Sequence, residues 1–238
     1  MSNIPKIIWQ TCLSDYNDLP EYVKVCSDSW KNNNEGWEYR YLTHEDCYKM
    51  ILDNYDQDMA DIYLKIDHPQ IKADFWRYLS IYKFGGVYID IDVISFSNID
   101  SFLPQDKDAF FIPIKNPIAD RKTEYAMWFF GCSPENPILK DAIELMISKL
   151  KSLDSYSIAS DQETGWPVWN AAIDKFVDEE WFYVLNDIEA PMLHYGANSK
   201  WTDNYITRRP METFYWDMGS SLDIKVSNKA YSSLKVHK

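Results

Sequence analysis

Hydrophobic residues in the first part of the chain recur with two periods, one typical of strands and one typical of helices. Residues 7–9 form a short apolar run, and residues 20–32 carry apolar side chains at helical spacing before an Asn cluster. The segment WEYRYL then alternates like a strand, and Thr43 with Asp46 three positions later has the form of a helix capping box. The pattern predicts two consecutive β-α units at the start of the chain.

The clearest helix follows Pro69, because proline fits the first turn of a helix. From Ile71 onward, apolar and aromatic residues recur at helical spacing until the pair Gly85 and Gly86 ends the pattern. The next segment, Val87 to Ile91, is β-branched and aromatic. This composition predicts a buried strand that begins at the glycine pair.

Strand-like and helix-like segments continue to alternate in the second half of the chain. AFFIPI and AMWFFGC predict strands, and residues 137–150 predict a long amphipathic helix. Such alternation is typical of the α/β class, with a Rossmann-like, mostly parallel sheet flanked by helices. The C-terminal part is expected to be loop-rich, because Pro191, Gly196, Pro210 and Gly219 interrupt it.

Length and charge limit the classes of protein to consider. A chain of 238 residues fits one domain. The net charge of −13 and the scattered basic residues argue against a nucleic acid polymer as partner, although a mononucleotide remains compatible with a metal ion and a few local cations. No apolar run is long enough to cross a bilayer. We therefore expect a cytoplasmic protein without a transmembrane segment and with at most peripheral membrane association.

Cysteine and aromatic content add two expectations. The cysteines show neither Cys-x-x-Cys spacing nor the density of a disulfide scaffold, which predicts reduced thiols at Cys12, Cys26, Cys47 and Cys132. The chain contains 10 Trp and 17 Tyr, whose rings suit nucleobases and sugars. An aromatic core accounts for most of them.

The strongest candidate chemistry lies at the end of the predicted central strand, in FGGVYIDIDV. Residues two apart on a strand share a face at about 6.5 Å, so Asp90 and Asp92 are expected to project side by side. Paired carboxylates repel unless a cation intervenes, and hard oxygen ligands at a sheet's carboxyl edge suit Mg²⁺ or Mn²⁺. The spacing alone also fits two acids that only end a strand and cap the next turn.

The surrounding stretch, ADFWRYLSIYKFGGVYIDIDV, resembles the Asp-x-Asp sugar-binding core of glycosyltransferase family 32. That family includes fungal mannosyltransferases and bacterial capsular-polysaccharide transferases and is related to clostridial glucosylating toxins. Its Ala-Asp-x-x-Arg helix opening is matched by Asp74 and Arg77. Its Tyr-x-Asp-x-Asp motif is matched by Tyr88, Asp90 and Asp92.

Four more segments resemble the family: IPKIIWQT, FGCSPENPILKDAI, ETGWPVWNA and HYGANSKW. In the third of these, Trp166 interrupts the usual Thr-Gly-Pro order. The resemblance spans residues 4–201 and implies a single domain of the GT-A type. It leaves residues 202–238 as a C-terminal tail or lid.

The resemblance implies roles for the matched residues. The metal ligands for Mn²⁺ or Mg²⁺ are expected to be Asp90, Asp92 and His194, with Asp90 acting directly or through water. The donor-binding residues are expected to be Trp9, Gln10, Asp74, Arg77, Tyr88, Asp90, Lys200 and Trp201. The family implies retention of configuration, for which no catalytic residue is assigned. Asp161 and Gln162 are candidates near the sugar or acceptor.

Some of these residues have simpler explanations. Trp9 could pack in the core instead of stacking on a base, and the two explanations are balanced. Asp74 and Arg77, three positions apart on a helix, could form a surface ion pair. The polar segment Asp161 to Glu163 could cap the helix that follows it. A lone histidine such as His194 is often a core or surface residue.

We expect a metal-dependent enzyme that transfers a hexose from a UDP- or GDP-sugar to a glycan or glycoconjugate acceptor in surface polysaccharide synthesis. Two other classes remain open. One is a haloacid-dehalogenase-like phosphatase in which Asp90 is a covalent nucleophile and Asp92 a general acid. The other is a non-catalytic nucleotide-sugar-binding module.

Overall fold

The computed structural model of the chain describes residues 3–114, 123–153 and 164–185, and the backbone of residues 192–194. In these ranges the strands β1 to β8 span Ile7–Thr11, Glu38–Leu42, Gly86–Ile89, Val93–Ser95, Ala109–Ile114, Glu124–Cys132, Phe182–Val184 and Met192–His194. The helices α1 to α6 span Glu21–Asn33, His44–Asn54, Gln57–Lys65, Pro69–Phe84, Pro137–Ser152 and Trp166–Ile173. The expected tail at residues 202–238 lies outside the described residues.

Six of the described strands form one sheet in the order β2-β1-β3-β6-β5-β7. Strand β1 is parallel to both β2 and β3, and β5 is parallel to β7. Only β6 runs in the opposite direction, antiparallel to β3 and β5. The predicted α/β fold with a mostly parallel sheet is confirmed. Strands β4 and β8 form a separate antiparallel pair.

Alternating side chains of the sheet fill two cores, one on each face. Trp9 and Tyr88 belong to the core that also contains α2 to α6, whereas Ile8, Val87 and Ile89 belong to the core with Trp30 of α1. This alternation follows from the two-residue period of strands. It directs every second residue of β3, including Tyr88, toward α4.

The predicted start of α2 and the predicted start and end of α4 are confirmed. Thr43 and Asp46 form a reciprocal capping box at the start of α2. Pro69 occupies the first turn of α4, and Gly85 ends the helix with φ of +67°. Gly86 has φ of +105°, and a Cβ at this position would lie 2.6 Å from the carbonyl oxygen of Ile7. Glycine is therefore required where β3 starts beside β1.

The acidic segment differs from the sequence prediction. The expected strand Val87 to Ile91 ends at Ile89. Asp90 begins a turn, which the backbone N–H of Val93 closes by donating to the Asp90 carbonyl at 3.1 Å. Asp90 and Asp92 therefore flank the bend of a turn instead of sharing one face of a strand.

The described cysteines are all free thiols, as expected: Cys26, Cys47 and Cys132 are buried, and Cys12 is half-buried. Among the described residues, no helix combines the length and apolar character needed to cross a bilayer.

Candidate functional site

A cavity of about 740 Å³ opens at the carboxyl edge of the parallel strands. Thr11 ends β1, His44 begins α2 just after β2, and Asp90 follows β3; all three line the cavity. Asp74 of α4 and Trp166 at the start of α6 form further walls. Ligands of open α/β sheets bind at this edge, which makes the cavity the candidate site.

The backbone and side chain of Asp90 are both held by neighbouring residues. Its N–H donates to the carbonyl of Trp128 at 2.9 Å, and its carbonyl accepts from Val93 and, at 3.1 Å, from the side-chain amide of Gln10. Its Oδ1 accepts a hydrogen bond from the Tyr88 hydroxyl at 2.6 Å. The orientation of this carboxylate is therefore set before any ligand binds.

Arg77 connects α4 to the acidic turn. Its Nη2 lies 3.0 Å from Oδ1 of Asp74 and 3.4 Å from Oδ1 of Asp90. Its Nη1 donates to the backbone carbonyl of Met127, and its guanidinium lies 4.2 Å from the ring centroid of Tyr88. The predicted donor residues Asp74, Arg77, Tyr88 and Asp90 are thus brought together in one network that lines the cavity.

Burial makes this network electrostatically strong. The side chains of Asp74 and Arg77 are only 2% and 5% exposed, which excludes the alternative of a surface ion pair. Burial by itself lowers the pKa of Arg77, but its electrostatic interactions with Tyr88, Asp90 and Asp74 raise it by more, so the net shift is upward. Burial raises the pKa of Tyr88 well above its ordinary value, although Arg77 opposes the shift. Arg77 therefore stays charged and Tyr88 stays a hydrogen-bond donor at neutral pH.

Asp92 lies on the other side of the turn, toward α1. It is 6% exposed and lines the cavity. Burial of the Cys26 thiol on α1 raises the pKa of this thiol, and the charge of Asp92 raises it further. Asp90 contacts α4 residues and Asp92 approaches α1, and both carboxylates line the same cavity. Two carboxylates that line one cavity are suitable oxygen ligands for Mg²⁺ or Mn²⁺.

His194 is described only through its backbone. Strand β8 pairs with β4 so that His194 lies opposite Val93, the neighbour of Asp92. Strand β8 thus brings the backbone of His194, the predicted third metal ligand, next to the acidic turn. Within the described residues, no group of three or more His, Cys, Asp and Glu side chains could hold a metal ion.

Helix α1 holds the strand that follows the acidic turn. The indole N–H of Trp30 donates to the carbonyl of Val93 at 2.8 Å. Ser29 accepts from the backbone N–H of Ser95 at 2.8 Å, and Asn33 donates to the Ser95 carbonyl at 3.1 Å. These bonds replace the ladder partners that the short strand β4 lacks on this side, so α1 positions Asp92 indirectly.

Trp9 lies in the core and does not line the cavity. It is 1% exposed, and its indole N–H donates to the carbonyl of Gly85 at 2.9 Å. Its ring contacts Trp76 and Phe84, and the guanidinium of Arg40 lies 4.6 Å from its centroid. The geometry favours the core-packing explanation of Trp9 over stacking on a base.

Gln10 also lies below the cavity and does not line it. It is fully buried, and its side-chain oxygen accepts a hydrogen bond from the Tyr39 hydroxyl at 2.7 Å. Its amide group donates to the carbonyl of Asp90. Gln10 therefore supports the acidic turn from beneath, where the sequence led us to expect direct contact with a donor.

Four predicted residues lie outside the described residues: Asp161, Gln162, Lys200 and Trp201. Glu163 lies outside them as well. The helix expected after this polar segment is present as α6.

The cavity also contains residues that were not predicted from the sequence. They lie at its β2 side and on the wall formed by β6, and comprise His44, Tyr63, His68, Lys72, Met127 and Trp128. His44 could have been predicted from the sequence, because the capping box at Thr43 places His44 directly after a parallel strand. Tyr63 belongs to α3, whose contact with this edge depends on tertiary packing.

Comparison with known proteins gives one family match, and it includes the acidic turn. Residues 20–109 match the family model described as a glycosyltransferase sugar-binding region containing a DXD motif. The match includes Asp74, Arg77, Asp90 and Asp92.

Similar curated proteins include two mannosyltransferases of Schizosaccharomyces pombe. The initiation-specific alpha-1,6-mannosyltransferase is 25% identical over 222 residues, which cover 81% of this chain and 54% of the yeast protein. The inositol phosphoceramide mannosyltransferase 1 is 29% identical over 147 residues, covering 60% of this chain and 43% of the yeast protein. The chain therefore spans about half the length of these relatives.

An uncharacterized glycosyltransferase of Acanthamoeba polyphaga mimivirus is 22% identical to this chain. The matched region covers 80% of this chain and 73% of the viral protein. Among solved structures, the PaToxG glycosyltransferase has a TM-score of 0.55 at 17% identity, covering 72% of this chain and 69% of that one. This structural likeness concerns the fold, and it confirms the expected GT-A type.

Proposed function

We propose that the chain is a glycosyltransferase of the family 32 type, and that it transfers a hexose from a nucleotide-sugar donor to a glycan or glycoconjugate acceptor, with a divalent cation and with retention. The observation that carries the proposal is the single network of Asp74, Arg77, Tyr88 and Asp90 at the edge of one cavity. The names of the yeast relatives make mannose the leading candidate for the sugar.

The two acids suit a cation that is shared with the substrate. Mn²⁺ and Mg²⁺ usually keep several positions for water and for substrate phosphates, so two carboxylates from the protein are sufficient. Asp92 is our candidate for direct ligation. Oδ1 of Asp90 already accepts from Tyr88 and lies near Arg77, which is compatible with contact through water. The pairing of His194 with Val93 supports His194 as the further ligand.

Asp74 and Arg77 suit the sugar. A buried carboxylate can accept hydrogen bonds from two neighbouring hydroxyls, and Arg77 holds it in place from the next helical turn. The rings of Trp128 and Trp166 line the same cavity and provide apolar faces for a hexose. This arrangement gives the sugar a polar edge and an apolar wall.

Cleavage of the bond between the sugar and the diphosphate leaves negative charge on the phosphate and positive charge on the sugar ring. A divalent cation held by Asp90 and Asp92 would supply positive charge beside that phosphate when bound. Asp74 and Arg77 orient the sugar, and the aromatic wall excludes water that would hydrolyse the donor. No residue is assigned as a nucleophile.

The phosphatase alternative has less support. Its nucleophile would be Asp90, yet Oδ1 of Asp90 accepts from the Tyr88 hydroxyl and lies 3.4 Å from Arg77. The matched family is a glycosyltransferase family.

We also propose that the reaction belongs to surface polysaccharide synthesis and takes place in the cytoplasm. The support for the pathway is the resemblance of the sequence to capsular-polysaccharide transferases.

The test is a thermal-shift panel of UDP-glucose and GDP-mannose, each with and without Mn²⁺, followed by donor hydrolysis. We expect at least one donor to raise the melting temperature only with Mn²⁺ and to be hydrolysed. Rapid hydrolysis of an aryl phosphate with Mg²⁺ and no donor binding would favour the phosphatase. Metal-dependent binding without hydrolysis or transfer would favour the binding module.

A further inference from the structure

The acidic turn, residues 90–93, leaves the sheet where the ladder between β1 and β3 ends. The last residues of β1 and β3 that lie opposite each other are Trp9 and Tyr88. Strand β1 continues beside β2 as far as Thr11. Beyond the ladder, the peptide groups of the acidic turn need hydrogen-bond partners other than the backbone of β1.

The side chain of Gln10 provides one of these partners. Its Nε2 donates to the carbonyl oxygen of Asp90 at 3.1 Å. The same oxygen accepts from the backbone N–H of Val93, also at 3.1 Å, and this bond closes the turn. A carbonyl oxygen has two lone pairs, and here both are engaged. The plane of the peptide between Asp90 and Ile91 is therefore held both from β1 and from within the turn.

The orientation of the Gln10 amide is itself fixed by Tyr39 of β2. A backbone carbonyl only accepts hydrogen bonds, so the end of Gln10 that faces Asp90 is the amino group. The opposite end is the oxygen, which accepts from the Tyr39 hydroxyl at 2.7 Å. Burial raises the pKa of Tyr39 to about 12, so the hydroxyl keeps its hydrogen at neutral pH. The hydrogen bonds thus run in one direction, from Tyr39 through Gln10 to the acidic turn.

Asp92 is the side chain whose direction depends on this arrangement. Ile91 and Asp92 are the two central residues of the turn. Rotation of the peptide before Ile91 changes the direction in which the Asp92 side chain leaves the backbone. Ile91 itself is buried in one cluster with Leu19 and Val23, so the turn is packed on that side as well. Divalent cations, Mg²⁺ above all, bind well only when their oxygen ligands are correctly placed.

Gln10 is fully buried and does not line the cavity, so it reaches the site through Asp90. We infer that Gln10, oriented by Tyr39, is a positioning residue that sets the direction of Asp92 and thereby the affinity of the site for its divalent cation. This inference rests on the proposed function, because it concerns the cation of the proposed reaction. It gives two residues of β1 and β2 a role in cation binding without contact with the cation.

The experiment measures Mn²⁺ binding to the full chain by electron paramagnetic resonance of the free ion, first with Mn²⁺ alone and then with UDP or GDP present. Gln10→Met removes both hydrogen bonds and keeps a similar side-chain volume. We expect the dissociation constant of Mn²⁺ to rise about tenfold, as is typical when an outer contact of a ligand residue is lost. In Tyr39→Phe the amide still reaches Asp90 but is no longer held, so the rise should be about threefold.

Stability separates a positioning role from a purely structural one. Each single variant leaves one buried polar group without its partner, either the Tyr39 hydroxyl or the Gln10 oxygen. Each should therefore lower the melting temperature by about 3 to 6 °C. The double variant Gln10→Met with Tyr39→Phe removes both groups and should regain part of this loss. Its Mn²⁺ affinity should stay as low as that of Gln10→Met, because Asp90 still lacks the bond from β1.

The matched control is Asn136→Ala. Asn136 is buried, its Oδ1 accepts from the N–H of Ile138 at the start of α5, and it does not line the cavity. This variant should lower the melting temperature and leave the Mn²⁺ affinity unchanged.

The outcomes separate the inference from the proposed function. Unchanged Mn²⁺ affinity in Gln10→Met, or recovery of that affinity in the double variant, would overturn the inference alone. An equal loss of Mn²⁺ affinity in Asn136→Ala would also overturn it, because the loss would then follow stability. If the wild type binds no Mn²⁺, with or without UDP or GDP, the cation of the proposed function is wrong as well.

Discussion

The hydroxyl of Tyr88 donates a 2.6 Å hydrogen bond to Oδ1 of Asp90, two residues later in the chain. The bond is possible because β3 points Tyr88 toward α4 and Asp90 continues the same face before the turn begins. Arg77 lies against both residues. The first acid of the Asp-x-Asp motif is thus oriented by the aromatic residue of the same motif.

Tyr88→Phe should loosen Asp90 with little change in the fold. We expect the Mn²⁺ concentration for half-maximal activity to rise about three- to tenfold, because outer contacts of ligand residues typically change metal affinity by about 10- to 100-fold and Arg77 remains. Metal titrations of donor hydrolysis give the measurement. Tyr16→Phe is the matched control, since Tyr16 donates to Asp28 at 2.6 Å outside the cavity. An equal shift in both variants would contradict the prediction.

Asp92→Asn should lower the rates of Mn²⁺-dependent hydrolysis and transfer at least about 100-fold, because the amide lacks the charge that holds the cation. The circular dichroism spectrum should stay unchanged. Asp53→Asn makes the same chemical change on the exposed side of α2 and should retain full activity. If Asp92→Asn keeps full activity in the presence of a chelator, metal dependence is wrong.

Asp74→Asn should cost about 3 kcal/mol in the free energy of unfolding, because it leaves the buried Arg77 without its nearest carboxylate. Urea denaturation measures this change. The double variant Asp74→Asn with Arg77→Met should recover part of the stability and none of the activity. If Asp74→Asn loses activity and the double variant regains it, the pair has only a structural role.

Trp9→Phe should lower the free energy of unfolding by about 2 kcal/mol, since it removes a buried ring and the bond to Gly85. The affinity for nucleoside diphosphates with Mn²⁺ should change by less than about twofold. Trp169 is another buried residue whose indole N–H donates to a backbone carbonyl, so Trp169→Phe should have the same effects on stability and on nucleotide affinity. A selective loss of nucleotide affinity in Trp9→Phe would restore the base-stacking explanation.

Much of the fold was predictable because its signals are local. The capping box at Thr43, the proline at the start of α4 and the glycine pair at its end are each encoded within a few residues. The segment Asp74 to Asp92 carries the family resemblance within one helix, one turn and one strand. Local chemistry and one contiguous motif were therefore enough to predict the α/β class, the resemblance to a glycosyltransferase sugar-binding region, and the residues Asp74, Arg77, Tyr88 and Asp90 that form the network.

The tertiary structure decided which side of the sheet each matched residue faces. Trp9 and Gln10 belong to the predicted opening strand, yet both lie below the carboxyl edge, since only the end of β1 reaches the cavity. The strand after Gly86 stops at Ile89, so Asp90 and Asp92 turn toward different helices. Such facts depend on where a strand ends relative to its neighbours, which a short sequence window does not encode.

The β2 side of the cavity shows the same division between sequence and structure. His44, Tyr63 and Lys72 come from three helices, and Nδ1 of His44 lies 2.9 Å from the hydroxyl of Tyr63. The sequence by itself was enough to predict the acidic motif and its resemblance to a glycosyltransferase sugar-binding region, because those signals are contiguous. Which residues of separate helices line the cavity was decided only by the tertiary structure, because it depends on contacts between residues that are distant in the chain.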